Sequence, residues 1–201
     1  MAGRLFDLSS TDNAIPQSAI LDSNVVIAWQ AASFHDDQSP DALRATAFMR
    51  ALATSEQQAV LTPTAYSETV HATIKAIYQR SRSDHRSALT ARYGRPGGFS
   101  WRDLYKLSPT ILQLQAPALA ELRQRLLAVN IALLDHSDLG HPRGERRYDR
   151  ELLDLVVRYG LDNSDATILM EAMRIGVDSI VSLDRDMQRA AADFDVYTCL
   201  S

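Results

Sequence analysis

Four carboxylates spread along the chain have the types and positions needed for metal-assisted phosphoryl transfer. Asp22 closes the apolar segment Ser18-Ala-Ile-Leu-Asp22, and Asp184 follows Ser179-Ile-Val-Ser-Leu183. Both segments read as short buried strands, so in a parallel sheet the two acids stand at one carboxyl edge, where such sheets bind ligands. Asp165 shares a helical stripe with Ile168, Leu169 and Ala172. A carboxylate on that apolar face demands a partner. Glu68 lies on a stripe with Ala65, Ala72 and Ala76, which leave room beside it, while Tyr66, Val70, Ile74 and Ile77 mark the bulkier face.

If these four groups converge, each like-charged pair near 4 Å repels by about 4 kcal/mol at an effective dielectric of about 20. Cations must offset that repulsion, or protons will. Hard oxygen ligands without clustered Cys or His favour Mg²⁺ or Mn²⁺ over zinc. Asp22, Asp165 and Asp184 are then the direct ligands, with Glu68 a further ligand or the group that orients the attacking water. In-line attack at phosphorus leaves 5′-phosphate and 3′-hydroxyl ends, and an RNA 2′-hydroxyl is not the nucleophile. Singly, each acid has a plainer explanation. Asp22 suits a turn, Asp165 the positive end of a helix, Asp184 the cap of the turn holding Arg185, and Glu68 a solvated helix face.

The elements that must position these groups alternate. Strands are expected at 18–22, 59–61, 131–134, 179–183 and about 194–197, and helices at 42–52, 63–78, 118–128, 152–159 and 164–175. Thr62-Pro63 supplies a cap followed by proline at the first helical position, and Gly160 and Gly176 close the last two helices. Residues 33–41 and 135–150 read as polar loops. Residues 80–102 contain Gly94, Pro96, Gly97 and Gly98 and read as a break between helices. Strands alternating with helices predict an α/β fold, a three-layer α/β/α sandwich around a central parallel sheet with an Arg-rich helical or loop insertion.

At 201 residues, the chain is expected to hold one domain over 1–201, with 1–17 an N-terminal extension and about 80–117 an insertion. The longest apolar run, Val25 to Trp29, is far short of the roughly 20 residues that a membrane span needs. No membrane association is expected. The N-terminal stretch lacks an apolar core of the secretory kind, which makes the cytoplasm the default compartment. The single cysteine, Cys199, can neither pair within the chain nor seed a thiolate zinc site. Net charge is −4, so a nucleic-acid partner needs a local basic patch. Residues 80–102 supply one, with six arginines against one aspartate.

In order and spacing these residues resemble the PIN-domain nucleases, and in particular the VapC-like toxins of bacterial toxin–antitoxin pairs. AILDSNVVIA is similar to the family's first strand with its Asp, and LTPTAYSETVHATI to the helix carrying its Glu. DNSDATILMEAMRIGVDSIVSLDRDM is similar to the closing stretch, in which a third acid opens a helix and a strand ends in Ser/Thr-x-Asp-x-Asp. The resemblance implies that Asp22, Glu68, Asp165 and Asp184 form the acidic quartet and that Asn24, Ser182 and Asp186 hold the site in shape. It also implies Mg²⁺- or Mn²⁺-dependent endoribonuclease activity, a homodimer, and an antitoxin protein that obstructs the site. Residues 80–117 have no counterpart in the family pattern, and Asp162 competes with Asp165 for the third position.

Further features bear on the substrate. The stretch 80–102 interleaves arginine with His85, Tyr93, Phe99 and Trp101, a mixture suited to phosphate contact and base stacking by an RNA substrate, with Arg92 and Arg95 as the candidates. A second cluster, Arg143, Arg146, Arg147 and Arg150, precedes a helix near the expected edge, and Arg146 and Arg147 are candidates for RNA binding there. Solubility or packing on the body explains either cluster equally. His71 suits a packed or surface role better than zinc, and His35-Asp36-Asp37 lacks the further histidines of a phosphohydrolase. His136 and His141 flank a Gly-Pro loop and could cleave RNA through its 2′-hydroxyl without metal. Two other classes of function remain open: a catalytically silent PIN-like module that binds RNA or protein, and a housekeeping RNA-processing nuclease.

Overall fold

The computed structural model describes residues 3–8, 15–35, 37–140 and 147–200, and divides the chain into two compact units, Met1–Thr69 with Leu126–Ser201, and Val70–Arg125. The first unit holds a six-stranded sheet of order β1-β6-β5-β2-β3-β4, in which every pair is parallel. Its strands are β1 (Leu5–Asp7), β2 (Ser18–Leu21), β3 (Gln58–Leu61), β4 (Ile131–Leu133), β5 (Ser179–Val181) and β6 (Asp195–Thr198). Helices α1 (Ser23–His35) and α2 (Pro40–Thr54) join β2 to β3, while α8 (Tyr148–Tyr159) and α9 (Asn163–Ile175) join β4 to β5. From β2 the chain adds β3 and β4 on one side, then returns to β5 and β6 on the other. With right-handed crossovers, that reversal sets α1 and α2 on one face and α8 and α9 on the other, the three-layer α/β/α arrangement expected.

Local chemistry explains the elements. β2, β3 and β5 are apolar runs buried on both faces, as central parallel strands require. Ser39 caps α2, its hydroxyl accepting from the Ala42 N–H, and Pro40 takes the first helical position. That pair shortens the expected loop 33–41, since α1 runs to His35 and α2 begins at Pro40. Gly160 (φ 64°) and Gly176 (φ 72°) close α8 and α9 in the left-handed region that favours glycine. β1 was not foreseen. It lies within residues 1–17 and pairs only with β6, where Phe6 stacks on Tyr197 at 4.4 Å between ring centroids.

The second unit is helical, and the break or inserted loop expected at 80–102 shrinks to turns at 82–85 and 94–100. Helix α3 (Pro63–Ser81) leads into it, followed by α4 (Arg86–Tyr93), α5 (Trp101–Leu107), α6 (Ile111–Leu114) and α7 (Ala116–Ala128). Tyr78, Leu89, Phe99, Leu104 and Ile111 form its core. Ser100 and Asp103 make a reciprocal capping box that starts α5, so the glycines occupy only the turn between α4 and α5. Among the described residues, no helix is long and apolar enough to cross a membrane.

Candidate active site

The carboxyl ends of β2 and β5 are adjacent, at the point where the order of strand addition reverses. The Asp22 N–H donates to the Val181 carbonyl at 2.9 Å, which ties the two ends together. Asp22 is only 2% exposed. Its Oδ2 accepts from the Ser182 hydroxyl at 2.6 Å and from Asn24 Nδ2 at 2.7 Å. The Asn24 amide oxygen in turn accepts from the Leu183 N–H at 2.9 Å, and Ser182 Oγ accepts from the Asp184 N–H at 3.0 Å. Asn24 and Ser182 thus splice the turn after β2 to the turn after β5, and every link depends on a polar side chain at its position.

Glu68, half-buried in the second turn of α3, is held at both oxygens. Ser23 Oγ donates to Oε2 at 2.7 Å, and the Ser164 hydroxyl donates to Oε1. Sequence reasoning missed both serines as site residues. Ser164 carried a signal, since it sits one turn before the fully buried Ile168 and shares its stripe. Asp165 stands in the first turn of α9, half-buried, and feels Asp22, Asp162, Asp184 and Glu68 as like charges. Asp162 is the cap of that helix, its Oδ1 accepting from the Asp165 N–H at 3.0 Å. Asp162 therefore serves the backbone through one oxygen, whereas the Asp165 carboxylate is free of that task.

Asp184 is exposed and lies beyond β5, which ends at Val181. It caps the 3-10 helix Arg185–Ala192, accepting from the Asp186 N–H at 2.8 Å through one oxygen. The Asp186 carboxylate is paired with Arg189 at 2.7 Å, so Asp186 supports Asp184 through its backbone. An open groove of about 330 Å³ borders Asp184 and is floored by Ile27, Ala28, Ala31 and Leu183.

Electrostatics make the cluster unusual. Among the described residues, none of Asp22, Glu68, Asp165 and Asp184 forms an ion pair with Lys, Arg or His. Burial pushes the Asp22 carboxyl up to about 6, against the opposing hydrogen bond from Ser182 and with further upward pressure from Glu68. Asp165 is pushed up to about 7, first by burial and then by Asp22, Asp162, Asp184 and Glu68. Of the four acids, Asp22 is buried, and both Asp22 and Asp165 are held above the ordinary carboxylate range. Among the described residues, no group of three His, Cys, Asp or Glu side chains is arranged so that it could hold a metal ion. Ser23 Oγ bridges two of the acids, 2.7 Å from Glu68 Oε2 and 3.5 Å from Asp22 Oδ1.

The other candidates are scattered. Arg95 is spent on Asp103 at 3.3 Å and lies over the Phe99 ring, while Arg92 is exposed on α4. Arg147 is exposed ahead of α8 and pairs with Asp149 at 3.2 Å. Arg143, Arg146, His141, Asp36 and the His35 side chain lie outside the described residues. Phe99 is buried in the core of the second unit, and His71 packs edge-on against Trp101 at 5.4 Å. His136 is exposed. In comparison with protein families and with curated proteins, the chain matches none.

Proposed function

We propose that the protein is a divalent-metal-dependent endoribonuclease of the PIN-domain type, using Asp22, Glu68, Asp165 and Asp184. The observation that carries this reading is Asp22, a buried carboxylate that feels Glu68 as a like charge and, among the described residues, has no basic side chain paired to it. A buried anion without a counter-ion costs several kcal/mol, and a divalent cation offsets that cost as well as the mutual repulsion. Mg²⁺ or Mn²⁺ bound there would neutralise charge at the scissile phosphate and lower the pKa of the attacking water.

The chain's own residues perform the remaining tasks. Ser182 and Asn24 hold Asp22 in one rotamer, so its second oxygen keeps a fixed direction. Ser23 and Ser164 hold Glu68, whose carboxylate can then orient a water or take up its proton. Asp184 borders an open groove of about 330 Å³, which Asp37 and Asp41 also line. The RNA substrate, the toxin role with its antitoxin protein, and the homodimer rest on the motif resemblance.

An RNA panel incubated with purified protein in Mg²⁺, Mn²⁺ or EDTA, beside Asp22→Asn and Asp165→Asn, tests the reading. We expect 5′-phosphate and 3′-hydroxyl products with either ion, none in EDTA, and losses of about a hundredfold or more in both variants. Equal cleavage by all three proteins eliminates it. Cleavage that survives EDTA points to 2′-hydroxyl chemistry at His136 and His141.

A further inference from the structure

An open cleft of about 370 Å³ in the second unit is lined by Gln79, Arg82, Ser83, Arg86, Gly97, Gly98 and Phe99. No carboxylate lines it. Arg82 donates to the Phe99 carbonyl at 2.7 Å, and Arg86 donates to the Pro96 carbonyl at 3.2 Å. The two guanidinium groups therefore grip the Gly97-Gly98 turn from its two ends. Each spends one N–H on that grip, and both residues are otherwise exposed, so two positive charges border one cleft with N–H donors to spare. The nearest acid along the chain, Asp84, accepts from the Ser83 hydroxyl at 3.1 Å.

The floor of the cleft is equally specific. A Cβ built on Gly97 or Gly98 meets nothing within 4 Å, so both backbones face open space and admit close approach by a ligand. Gly98 has φ 72°, where a side chain is strained, whereas Gly97 lies outside the left-handed region. Forked guanidinium donors beside bare glycine backbone and a serine and a glutamine side chain match an oxyanion carrying several acceptor oxygens.

We propose that this cleft binds a phosphate group through Arg82 and Arg86. The site is open and shallow, which suits a phosphate carried on an extended chain, such as the backbone of single-stranded RNA, as well as free inorganic phosphate. Gly97→Glu is the sharpest test, because it adds a carboxylate at the rim of the cleft, where a side chain meets no neighbouring atom, and removes no side-chain hydrogen bond. The wild type and the variant are titrated with a labelled single-stranded RNA 12-mer by fluorescence anisotropy, at several salt concentrations, and with inorganic phosphate by calorimetry. Both titrations contain EDTA, so they read binding with metal-dependent cleavage off and stand apart from the nuclease assignment. Thermal melting checks that the variant is folded, and Arg86→Gln provides a second variant.

The expected result is binding at least about tenfold weaker in both variants, with the salt slope for RNA shallower by about one phosphate contact. Loss of RNA binding alone identifies a polynucleotide backbone as the ligand, and loss of phosphate binding identifies a free anion. The proposal is overturned if the wild type binds neither probe, or if folded Gly97→Glu and Arg86→Gln bind both as the wild type does.

Discussion

At the scale of single residues, the carboxyls of Asp22 and Asp165 link metal, protons and stability. Both titrate higher in the folded chain, at about 6 and about 7, than the ordinary aspartate value of 3.8. A raised carboxyl binds more protons when folded than when unfolded, so its contribution to stability is full below about pH 4 and is lost as pH rises towards 7. In EDTA, these two groups should lower the melting temperature between about pH 5 and about pH 8. Mn²⁺ competes with the same protons, so it should raise the melting temperature more at about pH 8 than at about pH 5. Asp165→Asn should flatten both trends. An unaltered pH dependence in that variant would mean that Asp165 does not feel its neighbours as described. The serines that hold Glu68 show why part of the site escaped the sequence. Ser23 and Ser164 lie 45 and 96 residues from Glu68, and serine beside a helix start is too common to single out before the chain is folded.

At the scale of elements, the start of α9 carries both acids that compete for the third position. Asp162 and Asp165 are one turn apart, and sequence alone left them in competition. Asp162 caps the helix, and its side chain, which accepts from the Asp165 N–H, holds the first turn and fixes where Asp165 stands. Asp162→Ala should cost about 1 kcal/mol and lower the melting temperature by about 2–4 °C, while Asp162→Asn, which caps as well, should keep both stability and cleavage. If Asp162→Asn abolished cleavage as Asp165→Asn does, Asp162 would be the ligand and the assignment would be reversed. Elements were legible where burial was two-sided: Ala19-Ile-Leu21, Ala59-Val-Leu61 and Ile180-Val181 are runs that only a buried parallel strand explains. β1 was invisible because three residues at a sheet edge, half exposed, carry no periodicity. α4 and α5 were obscured by the glycines between them, although Ser100 and Asp103 spell a capping box.

At the scale of the whole molecule, the order of strands does the gathering. β2 and β5 are far apart in sequence, yet they pair, Ile20 with Ile180 and Leu21 with Val181, and their ends carry Asp22 and Ser182 to one place. α3 then brings Glu68, which raises Asp22, and α9 brings Asp165, which is raised by burial and then by Asp22, Asp162, Asp184 and Glu68. No local property of the sequence states that juxtaposition; it follows from right-handed parallel crossovers and from the reversal at β2. The most direct measurement is a calorimetric Mn²⁺ titration at about pH 7.5 of the wild type, Asp165→Asn, and the Asp22→Asn/Asp165→Asn double variant. A saturable site in the wild type, weakened at least about tenfold in Asp165→Asn and absent in the double variant, is the predicted result. Mn²⁺ binding of equal strength in all three proteins, or in none, would contradict the assignment of these carboxylates to a divalent cation.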